Sequence, residues 1–195
     1  MKGTKAEMGM GTLIIFIAMI LVAAVAASVL ISTTGTLQNK ALATGKATTQ
    51  EVGTSLSAVE LYGEDGSNQS LEYIYETIKL ASGSDEIRLI DTLVTVNLND
   101  ISSDYGYNQS VDCTNTSQFN ASSAMFGAKW QITGTNNRTG YLTKGDVVQL
   151  CLHMPRPINE AEDLKISLIP MVGSALVVDS TTPDLMVDTR VSIYP

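Results

Sequence analysis

The first part of the chain combines a strongly apolar run with a more polar continuation. Residues 13–31 read LIIFIAMILVAAVAASVLI, where Ser28 carries the only hydroxyl and no residue is charged. Nineteen helical residues span roughly 28 Å, close to the thickness of the hydrocarbon core of a bilayer. Lys2 and Lys5 precede the run, which favours leaving that end in the cytoplasm. The pattern predicts a helix that enters a membrane at some stage.

The helix is predicted to continue beyond the apolar run, over residues 7–60. After Gly35, apolar residues such as Leu37, Ala41 and Val52 recur among polar ones, with scattered glycines and no proline. This spacing is typical of an amphipathic helix. A helix that is apolar on all sides at its start and amphipathic afterwards suits a subunit whose tip lies in the core of a fibre.

Three fates of the apolar segment are consistent with its composition. It is a cleaved secretory signal with a small-residue site at Ala24-Val25-Ala26, a permanent membrane anchor, or a helix later transferred from the membrane into a protein polymer. Small residues such as Ala18, Ala23 and Ala27 allow neighbouring helices to approach closely. Together with the long helical continuation, they favour the third fate.

Beyond the turn-rich residues 63–66 the hydrophobic period changes from that of a helix to that of strands. In residues 93–98, Val94, Val96 and Leu98 alternate with Leu93, Thr95 and Asn97, as expected for a sheet covered on one face. The predicted strands are residues 74–80, 90–98, 128–133, 147–152, 166–172, 176–178 and 185–193. Their number and spacing predict an α+β chain in which residues 64–195 form an antiparallel β-sandwich of immunoglobulin type.

Composition and charge exclude several classes of function. The chain has 44% hydrophobic and 16% charged residues and a formal net charge of -8, with no basic cluster that would bind nucleic acid. A G-x-S-x-G sequence, a Walker-type loop and H-E-x-x-H are absent, and His153 is the only histidine. We therefore expect a protein that is not an enzyme and has no metal or cofactor.

Two further sequence features concern modification. Cys113 and Cys151 are the only cysteines; they either pair as a disulfide or remain two buried thiols. Five of the ten asparagines lie in N-x-Ser/Thr triplets, which are acceptors for N-glycosylation. The candidate glycosylation sites are Asn68, Asn108, Asn115, Asn120 and Asn137.

The N-terminal residues resemble those of archaellins, the archaeal flagellins. Residues 9–27 read GMGTLIIFIAMILVAAVAA, and in that family G-x-G-T-L-I-x-F-I-A-M-x-L-V-A-A-V-A-A opens the mature subunit. Further matches follow at residues 32–35, at Leu37-Gln38 and at residues 48–52. The resemblance is continuous over roughly the first 55 residues and weakens afterwards. It implies the same helix-plus-sandwich architecture.

The resemblance also implies a type IV pilin-like export route. A leader of residues 1–6, which ends in Lys5-Ala6, would be removed by a cut between Ala6 and Glu7. Gly3-Thr4 is a rival site, since most archaellins have glycine before the cut. Removal of Lys2 and Lys5 would change the net charge from -8 to -8 - 2 = -10. The implied partners are a leader peptidase, a membrane assembly platform with its ATPase, and other copies of the subunit. The membrane is a transient partner only.

By the same resemblance, the function is that of a structural subunit of the archaellum, an extracellular filament used for swimming. The residues expected to pack in the filament core are Leu13, Ile14, Ile15, Phe16, Ile17, Met19, Ile20, Leu21, Val22, Ala23, Val25, Ala26, Val29 and Leu30. Archaellins are commonly glycosylated, which supports modification of several of the five asparagines. An archaeal adhesion pilin and a membrane-anchored β-sandwich binding protein are the alternative interpretations.

Overall fold

A computed structural model describes residues 4–65, 70–115, 124–134 and 138–195. It divides into two compact units, residues 1–48 and 49–195. The first is helical; the second contains the last turn of the same helix and all of the strands. We call the second unit the exterior domain. The predicted α+β class, with one long apolar helix followed by a mostly antiparallel β fold, is confirmed.

Helix α1 spans Thr4–Gly53 and is shorter than the predicted 7–60 segment at its C-terminal end. The amide of Thr54 still donates to the carbonyl of Gln50 (3.0 Å), but Ser55 already bridges Ser174. Strand β1 begins at Leu56, where the helix had been expected to continue. The prediction failed because strand partners from elsewhere in the chain are available to these residues, and local propensity does not record them.

Eleven strands are described in the exterior domain. They are β1 (Leu56–Asp65), β2 (Leu71–Leu80), β3 (Ile87–Arg88), β4 (Leu93–Leu98), β5 (Ser102–Tyr107), β6 (Met125–Ile132), β7 (Tyr141–Leu142), β8 (Val147–Ile158), β9 (Asp163–Ile169), β10 (Leu176–Thr181) and β11 (Arg190–Tyr194). A short 3-10 turn, Leu89–Asp91, follows β3. Nine strands are hydrogen-bonded in the order β10-β9-β4-β5-β6-β8-β2-β1-β11, and β3 pairs with β7.

The nine strands act as two sheets with one shared core. The ladder pairing between strands β10, β9, β4, β5 and strands β6, β8, β2, β1, β11 is a two-residue parallel pairing of β5 with β6. Inward side chains of both groups, such as Val96 and Ile166 on one side and Ile74 and Leu150 on the other, belong to one buried cluster. Ser180 on β10 donates to the carbonyl of Ile193 on β11 (2.8 Å), so the two outer strands also meet.

Several strand predictions were wrong in their limits. Strands β1 and β5 were missed; β9 ends at Ile169, so 170–172 is a loop, and of residues 185–193 only those from Arg190 are in a strand. Strand β8 continues beyond the predicted residues 147–152 and contains Pro155-Arg156-Pro157. The prolines are accommodated because the β2–β8 register shifts there, between the pairs Leu71–Ile158 and Tyr73–His153.

A second, smaller cluster covers the outer face of β1, β2 and β8. Cys113 and Cys151 form a disulfide in the structure, with their Cα atoms 5.6 Å apart. Beside it the rings of Tyr62 and Tyr75 stack with centroids 5.0 Å apart. The side-chain amide of Gln149 donates to the Tyr62 hydroxyl (2.6 Å). The disulfide thus fixes the segment after β5 against the sheet.

A carboxyl group lies in the main core. Glu76 on β2 is fully buried between the inward positions of Ile74 and Ile78, and it is paired with Leu61 on β1 and Leu150 on β8. Neither carboxylate oxygen has a hydrogen-bond partner in the structure. Burial without compensation disfavours the charged form, and it raises the pKa of Glu76 to about 7.

The raised pKa of Glu76 predicts a pH-dependent free energy of unfolding. Between the ordinary glutamate pKa of 4.5 and the raised pKa of about 7, the unfolded chain releases a proton that the folded chain retains. The free energy of unfolding therefore falls as pH rises through this window and then levels off. A shift of this size corresponds to about 3 kcal/mol. Denaturation of the full chain in detergent should therefore show that the free energy of unfolding of Glu76→Gln, relative to that of the wild type, rises by this amount between pH 4 and pH 8. A constant difference across this range would contradict the prediction, and Glu72→Gln on the same strand controls for loss of a carboxylate.

The disulfide is predicted to stabilise the exterior domain. It closes a loop with a sequence separation of 38, for which restriction of the unfolded chain contributes about 3–4 kcal/mol. Cys113→Ala should lower the denaturation midpoint, and a reductant should lower the wild-type midpoint by a similar amount. The reductant should leave Cys113→Ala unchanged, which is the internal control; an equal response of both proteins would show that the bond contributes nothing.

Candidate assembly surface and modification sites

The apolar segment of α1 is exposed among the described residues of its unit. Between residues 13 and 31 the large apolar side chains are exposed, from 50% at Ile17 to 75% at Ile31. All fourteen residues predicted to pack in a filament core lie on this surface: Leu13, Ile14, Ile15, Phe16, Ile17, Met19, Ile20, Leu21, Val22, Ala23, Val25, Ala26, Val29 and Leu30. Exposed apolar surface of this extent marks contact with a membrane or with other protein chains. By length and composition, α1 is also able to cross a membrane.

Several threonine hydroxyl groups of α1 are bonded to the backbone of the same helix. Thr12 donates to the carbonyl of Gly9 (3.0 Å), Thr33 to that of Val29 (2.9 Å), and Thr36 to that of Thr33 (2.8 Å). A hydroxyl that bonds within its own helix does not have to be solvated when the helix leaves water. The helix therefore tolerates an apolar environment at both ends of its apolar run.

Small residues leave room on this surface. A side chain added at Gly11 or Gly35 would meet nothing within 4 Å. Ala23, Ala24, Ala26 and Ala27 add further shallow positions. Helices with such residues approach one another closely, and close packing is the main attraction between helices that are already out of water.

The predicted processing residues lie in the first turns of α1. The helix begins at Thr4, so Lys5, Ala6 and Glu7 have helical backbone, while Gly3 of the rival site falls outside the described residues. A cut after Ala6 would leave the whole 13–31 run in the mature chain.

The candidate glycosylation sites differ in exposure. Asn115 is exposed after a turn in which its amide donates to the carbonyl of Asp112 (3.1 Å). Asn108 is half-buried; its side-chain oxygen accepts from the amide of Ser110 (2.9 Å), and its side-chain nitrogen contacts the sulfur of Met125 (3.2 Å). Asn68, Asn120 and Asn137 lie outside the described residues. The bonded pair Cys113 and Cys151 holds the segment that carries Asn115.

One acidic residue just before β9 is structural rather than solvated. Glu162 is buried, although Glu160 and Asp163 beside it are exposed. Arg156 pairs with both Glu162 and Asp100, and its hydrogen bond to Glu162 lowers the pKa of that carboxyl. Sequence spacing gave no signal for this, because Asp100 is 56 residues away from Arg156. In the parts of the chain that the structure describes, no three His, Cys, Asp or Glu residues are grouped to hold a metal ion.

Comparison with known proteins agrees with these features. A family model described as archaeal-type flagellin matches residues 6–180. Flagellin B2 of Methanocaldococcus jannaschii is 35% identical, covering 97% of this chain and 94% of the relative. Flagellin B1 of the same organism is 32% identical, covering 99% of this chain and 97% of the relative.

Two solved structures share the fold. The archaeal flagellum of Methanospirillum hungatei strain JF1 aligns with a TM-score of 0.70 and 17% identity, covering 95% of this chain and 99% of that one. The crystal structure of archaeal flagellin FlaB1 from Methanocaldococcus jannaschii aligns with a TM-score of 0.60 and 18% identity, over 72% of this chain and 96% of that one. The helix, the β fold and the matched residues lead to one conclusion: the chain belongs to the archaeal-type flagellin family.

Proposed function

We propose that residues 13–30 of α1 form the core of an archaellum filament by packing against the same segment of neighbouring copies. As an archaeal-type flagellin, the chain is a structural subunit of the extracellular archaellum filament, a self-assembling polymer, and it is not an enzyme. The observation that carries the proposal is the uninterrupted apolar surface of α1, which is exposed on all sides.

The energetics of this surface explain why an assembled subunit is retained. Thirteen large apolar side chains lie between Leu13 and Ile31. Removing each from water contributes about 1.5–3 kcal/mol, which sums to an upper limit of roughly 20–40 kcal/mol for each subunit. Transfer from lipid to a protein core is nearly neutral for apolar groups, so packing must favour entry into the filament. Small side chains on α1 support such packing.

The route into the filament follows from the same helix. A leader peptidase removes residues 1–6, and the mature subunit waits in the cytoplasmic membrane with α1 across the bilayer. A membrane assembly platform, driven by its ATPase, then adds the subunit to the base of the filament. The length of the apolar run and the two lysines before it support this route. Contact with the membrane is transient.

Glycans on the exterior domain would keep the filament surface solvated. Asn115 is the best described acceptor, because it is exposed and its position is fixed by the nearby disulfide. Asn108 is the poorer of the two described acceptors, because it is half-buried. Sugar attached to such positions adds hydrated bulk that opposes lateral association of filaments.

The two alternatives are not favoured. An adhesion pilin would share the export route and the plan of helix and sandwich. A membrane-anchored binding protein would keep α1 in lipid. Membership of the archaeal-type flagellin family, with a match over residues 6–180, favours the archaellum subunit over both.

A charge within the apolar surface is predicted to prevent assembly. Val22→Glu would bury a carboxylate among apolar side chains, and its desolvation cost of several kcal/mol has no partner charge to offset it. Cells producing this variant should release no filaments on shearing and should not swim. Val52→Glu is the matched control on the same helix, beyond the apolar run, and should assemble. Normal filaments from the Val22→Glu strain would contradict the proposal.

The mature N-terminus of filament subunits is predicted to be Glu7. Mass spectrometry of sheared filaments should find an N-terminal peptide beginning EMGMGTLI, and no peptide containing Met1. A start at Thr4 would select the rival cleavage site and leave the export route unchanged. A start at Ala27 would mean ordinary signal cleavage, and it would rule out α1 as the filament core.

A further inference from the structure

The exterior domain has a group of exposed apolar side chains at the C-terminal end of β9. Leu93 and Ile169 are paired across β4 and β9. Val177 is opposite Ser167 in the β10–β9 pair and therefore lies diagonally from Ile169 on the same outward face. Loop residues Met171 and Val172 follow β9 and share one concavity with Arg88, Asp91, Ile87 and Glu86. We define the base patch as Leu93, Ile169, Met171, Val172 and Val177, all exposed.

The loop that carries this patch is held in place. The amide of Ser174 donates to the carbonyl of Thr54 (2.9 Å). Gly173 has a φ of +112°, and a side chain there would come within 2.6 Å of the same carbonyl, so the position requires glycine. Met171, 75% exposed, is thus presented to solvent by a fixed backbone.

A second exposed apolar pair lies at the opposite end of β9. Leu185 and Val187 are 69% and 74% exposed, while Met186 between them is buried. The amide of Met186 donates to the carboxylate of Glu160 (2.9 Å), and the carbonyl of Pro183 accepts from the amide of Ala161 (3.2 Å). These bonds fix the loop against the turn that precedes β9. We define Leu185 and Val187 as the tip patch.

The two patches are different surfaces on opposite ends of one rigid strand. Strand β9 has seven residues, so its ends are roughly 20 Å apart. When two different surfaces of one molecule are complementary, their contact is head to tail, and its repetition gives an open helical array unless the rotation closes into a ring. A filament of copies of this chain requires contacts of that kind.

Charge at the two ends is compatible with such a contact. Asp184 and Asp188 flank the tip patch. Beside the base patch, Arg88 pairs with Asp91 (3.1 Å) while remaining about half exposed, and Glu86 is paired with Arg138. The base therefore carries balanced charge and an accessible guanidinium, which does not repel an acidic tip.

We propose that the tip patch of one exterior domain packs on the base patch of the exterior domain of a neighbouring subunit. This inference rests on the proposed function, since it names a second surface through which subunits of the filament touch. The contact lies between exterior domains and is separate from the packing of α1. Its occupant is a second copy of this chain.

Cysteine cross-linking in assembled filaments tests the contact. In the double variant Leu185→Cys, Met171→Cys, each subunit carries one cysteine at the tip and one at the base. Mild oxidation of sheared filaments should then give a ladder of dimers, trimers and longer chains on non-reducing gels. Each single variant should remain monomeric. The pair Leu185→Cys, Ile132→Cys is the matched control, because Ile132 is 58% exposed but outside both patches, and it should give no ladder.

The outcomes separate this inference from the proposed function. Filaments that form but give no ladder would overturn the head-to-tail contact and leave the filament role intact. Dimers from a single variant would instead indicate a symmetric contact, tip to tip or base to base, and would also overturn it. Absence of wild-type filaments from sheared material would overturn the proposed function itself.

A second measurement needs no introduced cysteines, so it tests the contact even if the double cysteine variant fails to assemble. Leu185→Ser, Val187→Ser and Met171→Ser each remove an exposed side chain, so the fold of the domain should be unaffected. Filaments of each should release about tenfold more subunit on heating than the wild type, since loss of about 1.4 kcal/mol at an interface is a factor of ten. Ile132→Ser is the control and should match the wild type. Wild-type release from all three patch variants would overturn the contact.

Discussion

The apolar surface of α1 is the constraint on which the rest of the molecule depends. Nineteen consecutive residues without charge cannot remain in water, and they are exposed in the part of the helix unit that the structure describes. The surface must therefore lie in lipid or against other chains throughout the life of the protein. Bonding of threonine hydroxyls within the helix and the open surface at its glycines make both environments acceptable. Movement from one to the other then depends on packing rather than on removal from water.

The exterior domain, in contrast, buries most of its apolar side chains within itself. Its strands bury a contiguous core, and a disulfide with two stacked tyrosines closes a second cluster on the outer face. The domain carries most of the charge of the chain, which keeps it in water. Glu76 is an exception, because it is a carboxyl group buried in the apolar core. It has no hydrogen-bond partner in the structure, and the core is destabilised whenever this carboxyl ionises.

The hydrophobic period of the sequence did not predict strands β1 and β5, and the structure shows why. In β1, Leu56 and Ala58 face the core, but the register shifts between Ala58 and Glu60, so the next core residue is Leu61. A bulge of this kind breaks the period of two and left the segment looking helical. In β5, only Tyr105 is buried, and its hydroxyl donates to the carbonyl of His153 (2.8 Å), a partner 48 residues away.

The sequence by itself determined the properties that are local or compositional. The apolar run of residues 13–31 specifies a helix that must leave water, and alternation in residues 93–98 specifies a half-covered strand, because side-chain period and hydrophobicity need no partner to be recognised. Tertiary structure decided where α1 ends, which strands pair, and that the segments with Cys113 and Cys151 meet. It also placed Arg156 between Asp100 and Glu162 and fixed apolar side chains at both ends of β9. These features depend on contacts between residues far apart in the chain, and such contacts leave no periodic signal in a single sequence.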